Sequence, residues 1–568
     1  MSRSWVHAAR VTFVALSLAW VPAALAQWSN DPAANTSVSS AAGRQEPARF
    51  VADAFGRTTW VWQDARGGAG DVYAQRLDAR GFALWGEHGT SVCDEAHAQG
   101  APRLAATGAA VIAVWEDARS DSGDVYAQSL DAGGGPLWTL DGLAACAHAG
   151  RQFAPSLVAD DSGGVIVAWL DRRDGANAAV YAQRLDPAGA RRWAADGVPV
   201  CVVPGAHDAP LAITDGAGGA FVVWADARGG YRANRVDREG ALLGNADGLP
   251  VCTPGTPRNL RAIPDGDGGL LAAWDRTDGT GFFRDIYALR LDGAGAPLWP
   301  DTGVVISRAT LFQRVPALAS DGAGGAIVTW EDNRVFHLGQ VFAQRVDAGG
   351  ATLWAGDGVA LCSTNLTRPY PAIAPDGAGG AIVAWQDSRG ENVDVYAQRV
   401  DADGLPLWTT GGVPVSTAAD TQATILVAPD GAGGAFLGWT DGRDPLTRTD
   451  VFAAHLLASG ALDVASLSAP GPVPGARTTG LALVSRNPAG GFAEFEFVLA
   501  HPGAARLEVF DLRGALVRTL ASDARSAGTH RARWDMRDDS GRPVANGVYW
   551  VSLGANGQRE GARCVVLR

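Results

Sequence analysis

Along most of the chain, short apolar runs alternate with polar turns, and this alternation itself recurs. In the stretch 375–416, PDGAGGAIVAWQDSRGENVDVYAQRVDADGLPLWTTGGVPVS, a Gly-rich turn precedes the unbroken apolar run AIVAW; the mixed run DVYAQRVD and a short LW…GVPVS segment follow. An apolar run of strand length without alternation predicts a strand covered on both faces, and the mixed run predicts one partly open to solvent. Asp-Gly and Gly-Gly pairs supply the positive φ of a tight hairpin, so DGAGG at 215–219, 321–325, 376–380 and 430–434 reads as a turn. A short apolar run ahead of that turn, such as Pro371 to Ala374 or Pro316 to Ala319, brings each unit to four strands.

The unit occurs eight times. Its first tryptophan stands at Trp62, Trp115, Trp169, Trp224, Trp274, Trp330, Trp385 and Trp439, and a second follows at Trp85, Trp138, Trp193, Trp299, Trp354 and Trp408. Four strands in about 54 residues, repeated eight times, predict an all-β chain whose main part, 27–462, is an eight-bladed β-propeller. Helical repeats would show a 3.6-residue period, and tandem sandwich domains need longer units. The eighth copy ends in Gly460-Ala461-Leu462-Asp463, with neither a tryptophan nor a GVPVC segment. Trp28 followed by Ser37-Val38-Ser39 resembles Trp408 followed by Pro414-Val415-Ser416. Residues 27–39 are therefore expected to supply the outer strand of the last blade and so leave no open sheet edge.

The two ends read differently. Arg3 and Arg10 precede the apolar run Val11 to Leu25, and Ala24-Leu25-Ala26 has the form of a signal-peptidase site, so 1–26 reads as a signal peptide. The run is short and interrupted by Pro22, so no transmembrane anchor is expected and the mature protein should lie outside the cytoplasm. Residues 463–480 are rich in Ala, Ser, Pro and Gly and read as a linker. In 481–568, alternating runs at Ala493 to Leu499, Ala504 to Phe510, Arg531 to Trp534, Val548 to Leu553 and Ala562 to Leu567 predict a small Ig-like β-sandwich.

That last stretch carries a recognisable set: Asn487-Pro488, Asp511 to Gly514, Gly528, Trp534-Asp535, Gly541 and Gly547-Val548-Tyr549. In content and order it resembles the immunoglobulin-like domain of the flagellar hook-assembly capping protein, and it is similar to C-terminal sorting domains of the type IX secretion route. The resemblance implies a secreted or surface-attached bacterial protein and, as a partner, secretion machinery. It does not separate a sorting signal that is removed from a domain that stays.

Composition narrows the partners. The formal charge is −13, and all 47 cationic residues are arginine, which excludes a lysine Schiff base and a phosphate-loop lysine. An acidic chain is not expected to bind nucleic acid or an anionic membrane surface. Cys93, Cys146, Cys201, Cys252 and Cys362 hold the same place in five repeats, with Ser307 and Ser416 there in two others. Equivalent places in neighbouring repeats exceed the ~7 Å Cα limit for a disulfide, so these read as small core residues. No local signature points to a catalytic residue, a cofactor or a metal, and Asp265-Gly266-Asp267-Gly268-Gly269 lacks the further oxygen ligands of a calcium loop.

The most prominent polar pattern is W-x-D-x-R: Asp64 and Arg66, Asp117 and Arg119, Asp171 and Arg173, Asp226 and Arg228, Asp332 and Arg334, Asp387 and Arg389, Asp441 and Arg443, displaced to Asp275-Arg276 in the fifth copy. Residues two apart on a strand share a face. The Asp and Arg can therefore pair with each other there or with the Arg and Asp of YAQRVD on strand three, as a ladder tying the two strands, or form a ring of binding groups at one mouth of the propeller. The tryptophans read as packing between blades, with sugar stacking the alternative. Three functions fit: a non-catalytic binding or scaffold module for a surface protein or polysaccharide, a multivalent carbohydrate-binding propeller, and a polysaccharide hydrolase or lyase acting in a central tunnel. Near-uniform copies favour the first two.

Overall fold

A computed structural model describes residues 28–463 except loop positions 69, 109, 121–122, 176, 204–206, 227, 253–255, 278–282, 336–337, 367–368 and 445–448, together with 480–483, 492–499, 503–510, 516–525, 528–555 and 558–566. The expected signal peptide, nearly all of the expected linker, Asn487-Pro488 and Asp511 to Gly514 lie outside these residues. The chain divides into two compact units, Met1–Ala465 and Ser466–Arg568.

All regular structure among the described residues is β. The first unit holds eight four-stranded antiparallel sheets. In the seventh repeat the strands are Ala372–Pro375, Ala381–Asp387, Asp394–Val400 and Val413–Ser416, paired in chain order. The second strand is buried along nearly its whole length in every copy, because its apolar run faces a neighbouring sheet on each side. The DGAGG turn is held by its aspartate: Asp376 Oδ1 accepts from the amides of Ala378 (2.8 Å) and Gly380 (2.9 Å). Asp265 makes the same turn in the fifth repeat, accepting from the Asp267 and Gly269 amides.

The eighth sheet is assembled from both ends of the unit. Gln422–Pro429, Ala435–Asp441 and Asp450–Leu456 pair in order, and the fourth strand is Thr36–Ser39, which pairs Thr36 with Ala453 and Ser37 with Phe452. The first strands of successive repeats, from Arg49–Ala52 through Gln99–Ala106, Gln152–Ala159, His207–Thr214, Pro257–Pro264, Gln313–Ser320 and Ala372–Pro375 to Gln422–Pro429, neighbour one another in that order. Gln422–Pro429 in turn neighbours Arg49–Ala52. One apolar cluster joins Trp28 and Val38 to Trp60, Trp62 and Leu77 of the first repeat and to Phe436 and Val451 of the eighth.

The second unit contains a three-stranded sheet, Gly480–Leu483, Ala493–Leu499 and Gly528–Trp534, and a four-stranded one ordered Leu516–Arg525, Gly503–Phe510, Gly547–Ala555, Gln558–Val566. Phe495, Phe497 and Trp534 of the first pack with Leu507, Val509, Val551 and Leu553 of the second in one core. The strands Gly480–Leu483 and Leu516–Arg525 were not expected from the sequence. Val517 and Leu520 of the latter reach that core only in part, so its alternation is weak. No helix among the described residues is long and apolar enough to cross a membrane.

Candidate functional site

The W-x-D-x-R groups converge on one another. In seven repeats the tryptophan Nε1 donates to the aspartate Oδ2 at 2.8–3.4 Å. The arginine Nη2 donates to the same oxygen at 2.5–2.8 Å. The arginine's own amide donates to Oδ1 at 2.9–3.0 Å. Asp64, Asp117, Asp171, Asp226, Asp332, Asp387 and Asp441 are all buried.

In seven repeats an aromatic residue of the third strand joins the cluster, its ring 3.7–4.2 Å from the guanidinium carbon, and Tyr181 also stacks on Trp169 at 6.4 Å. In the fourth repeat Arg232 stands opposite Trp224 in its place, 3.7 Å from Asp226. The motif arginine also donates to a carbonyl in the turn before strand four, for example Arg119 to Asp141 O and Arg389 to Gly411 O. In three repeats its Nη2 reaches the sulfur of the preceding repeat's cysteine, at Cys93, Cys146 and Cys362. Burial pushes the Asp117 and Asp171 carboxyls up, but the arginine and tryptophan bonds outweigh it and hold both below the usual carboxylate range. At Asp226 the Arg228 bond is the largest influence and lowers the carboxyl further.

Of the two pairings that the sequence allows, the one within the motif is made and the one across strands is not. The aspartate and arginine of W-x-D-x-R do not reach the arginine and aspartate of YAQRVD. They bond within their own motif, and the third-strand arginine instead pairs with the aspartate of the DGAGG turn, as Arg184 with Asp160, Arg345 with Asp321 and Arg399 with Asp376. Those turn aspartates are nearly fully buried and nearer in space than the motif aspartate at the opposite end of the strand. Sequence reasoning also passed over the glutamine of YAQR. Gln398 Nε2 donates to Thr409 O while its Oε1 accepts from the Arg399 and Trp408 amides, bracketing strand three to the following turn. Its recurrence at Gln75, Gln128, Gln183 and Gln344 was the available signal.

The cysteines are all free and buried, and burial pushes the thiols of Cys93 and Cys252 up to about 12. In the six repeats that have one, the second tryptophan latches its sheet to the next: Trp85 Nε1 donates to Ala132 O, Trp138 to Pro187 O, Trp354 to Ala402 O and Trp408 to Ala458 O, at 2.9–3.1 Å, and Trp193 and Trp299 do the same; the fourth repeat has no second tryptophan. Trp28 makes the same bond to Ala79 O of the first repeat at 3.0 Å.

The fifth repeat departs from this plan. Asp275 sits one residue early, on the opposite face of its strand. There it accepts from Asn259 Nδ2 and Arg284 Nη1, both at 2.6 Å. Trp274 keeps its stack on Tyr287 at 6.2 Å, but its buried Nε1 has no acceptor. Arg276 lies over the Tyr287 ring at 3.7 Å, and Arg308, from the segment after strand four, donates to Tyr287 Oη at 3.1 Å and stands 3.5 Å from Asp285. Phe283, Asp285, Tyr287, Arg308, Thr310 and Leu311 line an open cavity of about 570 Å³. Beside it the half-exposed rings of Phe283 and Phe312 meet edge to face at 5.8 Å.

Residues 486–558 match the FlgD Ig-like domain family, which agrees with the resemblance read from the sequence. No curated protein matches the chain. Among solved structures, the chain is similar to PorZ, described as an essential surface component of the type IX secretion system of Porphyromonas gingivalis. Identity is 14%, coverage 90% of this chain and 64% of PorZ, and the TM-score 0.31. This chain thus spans less than two thirds of PorZ. A polysaccharide lyase of the ulvan lyase type is 12% identical, with 77% of this chain and 95% of the lyase covered and a TM-score of 0.38. An endo-arabinase from Bacteroides thetaiotaomicron is 13% identical, with 53% and 92% covered and a TM-score of 0.27.

Proposed function

We propose that the chain is a secreted or cell-surface protein whose eight sheets are the blades of a closed eight-bladed propeller, serving as a non-catalytic binding scaffold that its Ig-like domain exports or holds at the surface. One observation carries this reading. The Asp, Arg and Trp groups repeated from sheet to sheet bond to one another, so the repeat builds a rigid support and recognition falls to places where the copies differ. Pairing of Thr36–Ser39 into the last sheet, and the cyclic order of the first strands, support the closed ring. The Ig-like match supports the surface location.

A second reading, carbohydrate binding, is favoured by the cavity of the fifth repeat, where aromatic faces stand beside a carboxylate, a phenol and a guanidinium. This combination suits the apolar and hydroxyl-bearing sides of a sugar ring. It would be one site rather than one per blade, because Arg308 and Phe283 have no counterparts in the other copies. The test is a screen of the mature chain on immobilised glycans and against surface-protein extracts, with reducing-end release measured in parallel. Saturable binding without turnover supports the scaffold, and loss of glycan binding in Arg308→Ala places it at this cavity. Release of products from a polysaccharide would overturn the non-catalytic reading.

A further inference from the structure

The first strands, which neighbour one another in cyclic order, have a charge opposite to that of the protein. Their sequences contain Arg49, Arg103, Arg258, Arg261 and Arg314 against a single acid, Asp208, in a chain with 60 acidic residues and 47 arginines. Three of these arginines share one register. Arg49 pairs with Val61, Arg103 with Val114 and Arg261 with Ala273, each partner being the residue just before the first tryptophan. At that level the other repeats carry Ser156, Leu211, Ala317, Ala372 and Leu426, none of them acidic.

The three guanidiniums are poorly compensated. Among the described residues, their side-chain hydrogen bonds go to the carbonyl of the preceding residue, Ala48 at 2.7 Å, Pro102 at 3.1 Å and Leu260 at 3.1 Å, no carboxylate lies within ion-pair distance of any of them, and Arg103 alone gains from a more distant one, Glu116. Arg314, by contrast, is paired with Glu331 at 2.6 Å. The Arg49 guanidinium is pushed down to about 10 by burial and then by the charges of Arg103 and Arg261. Like charges brought together without counter-charge destabilise the fold unless an anion joins them. We infer that Arg49, Arg103 and Arg261 form a binding site for one multiply charged oxyanion in the interior of the ring, the carboxylates or sulfates of an acidic saccharide strand or a free ion of that chemistry.

The site rests on the ring of the proposed function, which places repeats one and five on opposite sides and turns their arginines toward a common interior. Planar guanidiniums suit it, since each offers paired N–H donors to carboxylate or sulfate oxygens. The experiment is calorimetric titration of the mature full chain at low ionic strength with sodium sulfate, trisodium citrate and tetragalacturonate. The expected result is binding of one anion per chain, weakened about tenfold or more in Arg261→Gln and in Arg49→Gln. Tetragalacturonate binding tighter than the free ions assigns the site to an acidic saccharide; equal or weaker binding assigns it to a free anion.

No heat of binding, or weak binding unchanged in both variants, overturns the site. The melting temperatures of the two single variants and the double variant separate this from failure of the ring. Removing either arginine should raise the apo melting temperature, and if the residues face each other the two gains fall short of additive. Non-additive gains without anion binding would leave the ring and remove the site. Strictly additive gains would remove the ring geometry itself.

Discussion

The closing sheet and the fifth repeat both break the sequence pattern, with opposite structural results. In the closing sheet the fourth strand comes from the other end of the unit and the groups around it are changed, yet the bonds are restored. Trp28 makes the latch of the missing second tryptophan, and Ala33 O, Ala34 O and Asn35 Oδ1 accept from Arg443 where a turn carbonyl does elsewhere. Ser39 stands where the other sheets have Cys or Ser. His455 replaces the third-strand arginine and still reaches the turn aspartate, Asp430, at 3.0 Å. In the fifth repeat the tryptophan is kept and its bond is lost. The eighth sheet takes new residues and keeps its bonds, since without its fourth strand it would expose an edge. The fifth repeat loses one bond while its ring stack and strand pairing persist, and the loss lies behind Tyr287, which lines the open cavity.

The largest effect should come from deleting residues 28–39. This removes the fourth strand of the last sheet and is expected to abolish cooperative unfolding and drive self-association, read by calorimetry and light scattering. A deletion variant as stable and monomeric as the parent would remove the closure argument. Next, Trp28→Ala should cost about 3–5 kcal/mol in urea unfolding, as for a buried aromatic in any blade. A cost below 1 kcal/mol would mean that the N-terminal strand is an accessory rather than part of the ring.

A smaller contrast sharpens the comparison directly. Trp385→Phe strips the Asp387 carboxylate of a donor and should cost about 1–3 kcal/mol, whereas Trp274→Phe removes an indole N–H that has no partner and should be near neutral or stabilising. Equal costs would contradict the reading of the fifth repeat. The smallest effect is titration. Burial alone would lower His455, but its bonds to Asp430 and Asp463 outweigh this and raise it. Its contribution is therefore complete below the unfolded value near 6.5 and fades as pH rises through the folded one. Asp117 and Asp171, held low, act in reverse, contributing above about pH 4 and less as pH falls through their folded values. His455→Gln should remove the alkaline-side decline in melting temperature and, because against burial the His455 bond is what holds the Asp430 carboxyl low, also weaken the acid side.

Much of the fold was legible because the repeat supplies eight observations of one pattern. Unbroken apolar runs marked the second strands, and the likeness of Trp28 and Val38 to Trp408 and Val415 marked the strand that completes the eighth sheet. Partner choice was legible only as two alternatives, pairing within the motif or across to strand three. The spacing of W-x-D-x-R shows a shared strand face, but not that a carboxylate with both oxygens taken by its own motif has none left for the neighbouring strand. The inner arginines escaped notice for a different reason: Arg49, Arg103 and Arg261 lie far apart in sequence and in only three copies, so only the pairing register aligns them.

The origin of the eighth sheet sets the order in which this protein can be finished. The strand Thr36–Ser39 leaves the ribosome well before the strands it pairs with, and the neighbouring Ala33 meets Arg443 across 410 residues of chain. At ordinary rates of synthesis that interval lasts roughly 20–80 s. Bringing such distant ends together carries a chain-entropy cost of about 5 kcal/mol, incurred once, at the end. Until Asp450–Leu456 is available, the earliest strand has no place to dock. A nascent chain of this design therefore leaves its eighth sheet unfinished until nearly all of the first unit has been made.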